Sequence, residues 1–188
     1  MDTRLKIITA AQLLFWSNGY TATSVDAICM KADVRKGSFY YYFDSKKKLA
    51  VAVLENQWEH ARDHLLEPSF DNGEYIKNQF SNFFEKLYTE YRASQKKSGS
   101  MHGCPFGNFS GEVPVGDDEI QDKLQDIFDG FHNYFTKSLR RKYSNPKAGL
   151  IADEIIIYFE GMMLLAKVRN DAEVIKQMTP GVFQLLNA

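Results

Sequence analysis

The chain has 188 residues, 44% of them hydrophobic and 25% charged, and a formal net charge of −1. That balance excludes disorder and is long enough for a substantial core, as one large domain or a small domain joined to a larger one. Two cysteines, Cys29 and Cys104, make no disulfide framework, and neither has a partner at zinc-site spacing.

The N-terminus starts directly with an amphipathic pattern and lacks a signal peptide. The most apolar run, Ile155 to Ala166, is too short to span a bilayer and contains Glu160. The expectation is a reduced, cytoplasmic protein with no membrane association. The net charge hides an asymmetry: residues 1–50 hold eight Lys/Arg against four Asp/Glu, and residues 51–188 hold fifteen against twenty. A basic head on an acidic body suits a protein that meets phosphate at one end.

Ile7, Ile8, Ala11, Leu14 and Phe15 recur at helical spacing and predict a first helix over 3–18, ending near Asn18-Gly19. Thr23-x-x-Asp26 resembles a capping box, and Val25, Ile28 and Cys29 give a short second helix a narrow apolar face. The stretch from Ala32 to Leu49 then packs basic, hydroxyl and aromatic side chains into about two turns, where a helix built only for stability would carry Ala, Leu and Glu. After a three-residue turn this reads as the second helix of a helix-turn-helix, whose exposed side chains enter the major groove of DNA. Val34, Phe39 and Phe43 close the three-helix core. Duplex DNA is the partner this points to.

Ser45 can cap a fourth helix to about Leu66, before Pro68. Its first turn, Lys46-Lys47-Lys48, sets three cations against the positive end of the helix dipole, at about 0.3–1 kcal/mol each when exposed, and a phosphate there would reverse the sign. A fifth helix carries Ile76, Phe80, Phe83, Leu87 and Tyr91, and Ser94 to Gly103 is a loop by composition. A short, glycine-interrupted sixth helix follows Cys104 and ends at Pro114. The seventh runs from about Asp117 to Tyr143, and the eighth from Lys147 to Arg169, apolar nearly all round between Ile155 and Ala166, so more than one neighbour must cover it. A last helix starts near Asp171, with a break or kink at Pro180. No strand alternation or internal repeat is visible, and the fold class is all-α.

Ser24, Ile28, Ala32, Val34, the run Lys36-Gly37-Ser38-Phe39-Tyr40-Tyr41-Tyr42-Phe43, and Ser45-Lys46 together resemble the DNA-binding signature of TetR-type repressors. The resemblance covers about the first fifty residues. It implies a three-helix head over residues 1–47, a ligand-binding body over 48–188, and a homodimer formed through the last two long helices. Two positions depart from it. Asp33 stands where glycine is usual in the turn, and aspartate reaches the left-handed conformation at some cost. Arg35 stands where a small residue is usual, and it can make a bidentate contact to guanine. More loosely, Gly103-Cys104-Pro105-Phe106-Gly107-Asn108 and Leu165-Ala166-Lys167 resemble a subgroup in which some members respond to electrophiles or oxidants through that cysteine, and others bind small organic acids.

The resemblance implies that Lys36, Tyr40, Tyr42 and Lys46 grip phosphates, with a hydroxyl from Thr23 or Ser24. Arg35, Ser38 and Tyr41 are the candidates for base edges, and Gly37 lets the backbone come close. In the body, Trp58, Phe83, Phe84, Tyr88, Phe106, Phe109, Phe128, Phe131, His132 and Phe159 are candidates for a ligand cavity, with Asn108 and His132 as its polar groups; ordinary core packing accounts for many of the same aromatics. Cys104, at a helix N-terminus, is favoured as thiolate there, and Lys167 can supply an ammonium; the rival reading is an inert buried cysteine. His102, Cys104 and His132 could be assembled into a metal site but include no close-spaced pair, and His60 and His64, four apart on the fourth helix, could clamp a metal but are explained equally well as a solvated helix face, so no metal and no cofactor are expected. The function expected is a repressor released from a palindromic operator by a small molecule or by modification of Cys104. A cysteine-dependent enzyme and an activator of the same fold are the alternatives.

Overall fold

The computed structural model describes residues 2–113, 116 and 118–187, and among these the chain forms helices and no strand. The head is α1 (Thr3–Asn18), α2 (Val25–Ala32) and α3 (Lys36–Tyr42). α4 (Lys46–Ala61) continues through one π-helical turn, Arg62–Leu66, into α5 (Glu67–Phe70). The body adds α6 (Ile76–Ser98), α7 (Pro105–Glu112), α8 (Asp118–Leu139), α9 (Asn145–Arg169) and α10 (Glu173–Leu185). The expected end of the short helix at Pro114 and the expected start of the next at Asp117 lie outside the described residues.

Two compact units result. The first joins residues 1–59 to 105–126, and the second joins 60–104 to 127–188, so the expected boundary at residue 47 falls inside the first unit. In the first unit Ile7, Ile8, Ala11 and Phe15 of α1 meet Ile28 and Cys29 of α2 and Phe39 of α3, all buried. Asp33 makes the turn between α2 and α3 in the left-handed region, with φ of 53°, as its place in the motif requires. In the second unit α10 packs on both α6 and α9, and Phe80 of α6 meets Phe135 of α8 with ring centroids 5.3 Å apart.

Several boundaries differ from the sequence expectation. The cap of α2 is Ser24, whose hydroxyl oxygen accepts the Ala27 N–H at 3.1 Å; the box at Thr23 is one residue early. The fourth helix does not stop before Pro68. Proline fits the first turn of α5, where it has no N–H to miss, and the wider π turn before it carries the chain on. Ser94–Ser98, expected as loop, is the last turn of α6. It is held by tertiary contacts that local composition does not encode: Gln95 accepts the Ala172 N–H at 3.1 Å and donates to the Asn170 carbonyl. The helix ends instead at Gly99, with φ of 77°. α8 ends at Leu139, four residues before Tyr143.

Pro180 does not break α10, which runs through it. Packing on α9 holds the segment: the Tyr158 hydroxyl donates to the Met178 carbonyl at 2.8 Å, and a Cβ at Gly181 would lie 2.2 Å from that hydroxyl.

Candidate DNA interface and sensor site

α3 is built from seven residues of which only Phe39 is buried. That single anchor, with Phe43 just beyond the helix, fixes the element on the head and leaves the rest outward. Arg35, Lys36, Gly37, Tyr40, Tyr41 and Tyr42 are exposed, Tyr41 by 82%, and Ser38 is half-buried. A Cβ at Gly37 would meet no atom within 4 Å. The fold therefore does not require glycine there, and the backbone is open to a close-approaching partner. Ser24 stands exposed at the α2 N-terminus, and its hydroxyl, having accepted from Ala27, keeps its proton to donate. Lys36 is tied across the head to Asp26 at 2.7 Å, and that carboxylate raises the lysine's pKa.

Two of the expected contact residues make bonds within the head. Thr23 is only 2% exposed, and its hydroxyl donates to the Gly19 carbonyl at 2.6 Å. The Lys46 ammonium donates to the carbonyls of Tyr20, Thr21 and Thr23 at 2.9, 3.3 and 2.9 Å and lies over the Tyr20 ring. Its charge is spent on the α1–α2 connection, and burial lowers its pKa. Lys48 is answered by Glu119 at 2.7 Å. Lys46 and Lys48 in the first turn of α4 thus each have a protein partner.

The same connection is gripped by α7. The Glu112 carboxylate accepts the Thr21 N–H at 2.9 Å, and a Cβ at Gly19 would lie 2.8 Å from its oxygens. Phe109 rests its ring 5.5 Å from Phe15 and 5.4 Å from Tyr20. Neither Glu112 nor this aromatic triplet was visible in local sequence, because the partners are some ninety residues apart, as the Thr21–Glu112 separation of 91 shows.

Of the candidate effector residues, Phe84, Phe131 and Phe159 come together in the second unit, with Phe159 6.5 Å from Phe84 and 6.1 Å from Phe131. Phe128 is half-buried in the same unit. Phe106 is buried and Asn108 half-buried on α7, in the first unit. Tyr88 is directed elsewhere, its hydroxyl donating to Glu173 with Arg92 beside it. His132 faces Thr136 and Asp153, the carboxylate at 3.6 Å. A cavity of about 310 Å³ in the second unit is lined by other residues, among them Lys77, Arg141 and Phe183. Among the described residues no group of three or more His, Cys, Asp or Glu is arranged to hold a metal ion.

Cys104 is 5% exposed and immediately precedes α7. Its thiol donates a hydrogen bond to Glu160, which holds that carboxyl down against a larger upward push from burial. Glu160 Oε1 is buried and has no hydrogen-bond partner among the described residues. Tyr91 stands in the same neighbourhood, its pKa raised well above the usual value by burial and by the proximity of Cys104 and Glu160. Lys167 is exposed, and its stem packs by Gly103, where a Cβ would lie 3.2 Å from the lysine Cδ. Sequence reasoning named Cys104 and Lys167 and missed Glu160 and Tyr91. The available signal was a lone acid inside an apolar helical run.

An all-helical fold with an outward-facing helix-turn-helix defines a DNA-binding transcriptional regulator, and sequence comparison agrees. Residues 7–53 match the model for bacterial regulatory proteins of the tetR family, and residues 79–179 match the LmrA/YxaF-like transcriptional regulator C-terminal domain. The chain is 31% identical over 182 residues to an uncharacterized HTH-type transcriptional regulator of Lactococcus lactis subsp. lactis, covering 93% of this chain and 88% of that one. It is 26% identical to the HTH-type transcriptional repressor DhaR of Mycobacterium sp. (strain GP1), over 97% of this chain and 91% of the relative. The fold matches a TetR transcriptional regulator from Legionella pneumophila with a TM-score of 0.83 at 24% identity, covering 98% and 97% of the two chains. The chain belongs to the tetR family of bacterial regulatory proteins. Regulators of this family bind DNA operators and small-molecule effectors and act as dimers.

Proposed function

We propose that this ligand-responsive tetR-type repressor holds a palindromic operator through α3 and is released by a small molecule or by modification of Cys104. The observation that carries the DNA half is the exposed surface of Arg35, Lys36, Tyr40, Tyr41 and Tyr42 around an open Gly37. Arg35, Ser38 and Tyr41 read base edges, while Lys36, Tyr40, Tyr42 and the Ser24 hydroxyl hold phosphates. A head of this size reads few base pairs, so two heads must meet half-sites about 34–36 Å apart, and an effector acts by favouring a different spacing. The direction, repression, is supported by the relative named as a repressor over nearly its full length.

The homodimer forms through α9 and α10. Leu150, Ile157, Leu164 and Val168 are all exposed on α9, with Leu165 partly so. Leu150, Ile157 and Leu164 are spaced by sevens, as on one face of a helix that meets another. Gly161, where a Cβ would meet nothing within 4 Å, lies along the same stretch and permits close approach.

Chemistry at Cys104 is supported by its hydrogen bond to Glu160. When the thiol adds to the β-carbon of an enone or quinone, the S–C bond forms, the C=C pair moves to the α-carbon, and the thiol proton passes to Glu160 and on to that carbon. The test is fluorescence anisotropy on duplex DNA from upstream of the protein's own coding region, with N-ethylmaleimide, for wild type and Cys104→Ser. Release of wild type alone is expected. Retention of both would make Cys104 structural and leave non-covalent effectors as the trigger.

A further inference from the structure

α4 turns Leu49, Ala50, Val53, Leu54 and Ala61 inward, all apolar, and at the next inward position it carries Gln57, only 6% exposed. Neither Nε2 nor Oε1 of this amide has a hydrogen-bond partner among the described residues. The second unit contains a glutamine that serves the fold. Gln79 is as deeply buried, yet it donates to the Phe70 carbonyl at 2.8 Å and accepts the Ser138 hydroxyl at 2.6 Å. A buried amide bonded to nothing destabilises the folded state, and an apolar side chain of similar size in its place would stabilise it. Its presence on an otherwise apolar face calls for a partner that the described residues do not supply.

We infer that Gln57 is a ligand-recognition group, whose amide donates and accepts side by side to a neutral small molecule presenting an adjacent acceptor and donor on an apolar frame. Amides, imides, lactams and protonated carboxylic acids have that pattern. A neutral ligand suits this face, whose other inward residues are all apolar. That such a ligand acts on DNA binding rests on the regulatory reading above.

The test compares wild type, Gln57→Leu and Gln57→Met by thermal unfolding, with benzamide and phthalimide as probes and acetophenone as a control that keeps ring and carbonyl but has no N–H. Without ligand, Gln57→Leu should raise the Tm by about 2–4 °C. At least one amide probe should stabilise wild type, bind both variants about tenfold more weakly or worse, and outperform acetophenone on wild type alone. A lower Tm for both variants would mean that the amide is satisfied within the fold, by water or by protein, and would overturn the inference. Equal stabilisation of all three proteins, or of none, by both amide probes would overturn it as well. DNA anisotropy separates the two readings: a probe that binds through Gln57 and leaves operator affinity unchanged upholds the site and sinks its regulatory role.

Discussion

The Asp26 carboxylate on Lys36 competes with the phosphate contact proposed for that lysine, and this pair is the simplest handle on the head. The pair is exposed on both sides, so it adds little to stability, while the carboxylate sits within the surface that DNA must approach. Asp26→Asn should tighten operator binding severalfold with little change in unfolding midpoint, measured by anisotropy beside a urea titration. Asp33 offers a second handle. It holds a left-handed conformation that glycine adopts freely, so Asp33→Gly should add about 0.5–1 kcal/mol to stability and leave DNA contacts alone.

At Glu160 the sign of the pH effect follows from burial. The carboxyl is raised above its ordinary 4.5, so the folded state keeps its proton longer than the unfolded chain does. The associated stability is full below pH 4.5 and is lost as pH rises through the raised value. Glu160→Gln removes this titration, and the stability difference between variant and wild type should grow in the variant's favour over that window. A difference that stays constant with pH would contradict the burial argument. Residue types at the DNA face were legible because they lie within one short motif. The direction of Thr23 and Lys46 was not, since it depends on how the α1–α2 connection closes on itself and on α4.

Among the elements, α7 follows Cys104 directly and ends at Glu112, on the connection that Lys46 also clamps. A change at Cys104 therefore falls on the residue directly before this helix. Glu112→Ala should leave the rate of Cys104 alkylation unchanged while shrinking the resulting fall in operator affinity, and full release in this variant would remove α7 from the coupling. Sequence periodicity found the long helices because each has an apolar stripe. It misplaced the end of α6 because Gln95 is held by residues far along the chain, and of the break or kink expected at Pro180 the break is absent, where Tyr158 of α9 supports the helix.

At the scale of the whole molecule, the apolar excess of α9 was legible in sequence, and the single chain leaves part of it uncovered. Ile157 is 72% exposed, and the proposed dimer through α9 would cover it. Ile157→Lys should shift the protein toward monomer in sedimentation and weaken operator binding while each chain stays folded by circular dichroism.

Two heads on one operator also fix the response to salt, and this gives the most direct test of a DNA-binding regulator that works through α3. Operator affinity is measured across a salt series for wild type and Lys36→Ala. If regulation works through α3, wild type binds specifically and with steep salt dependence, and Lys36→Ala has a log-log slope shallower by close to one for each lost phosphate contact, about two per dimer. Binding that is absent, indifferent to sequence, or unchanged in slope by Lys36→Ala would contradict it.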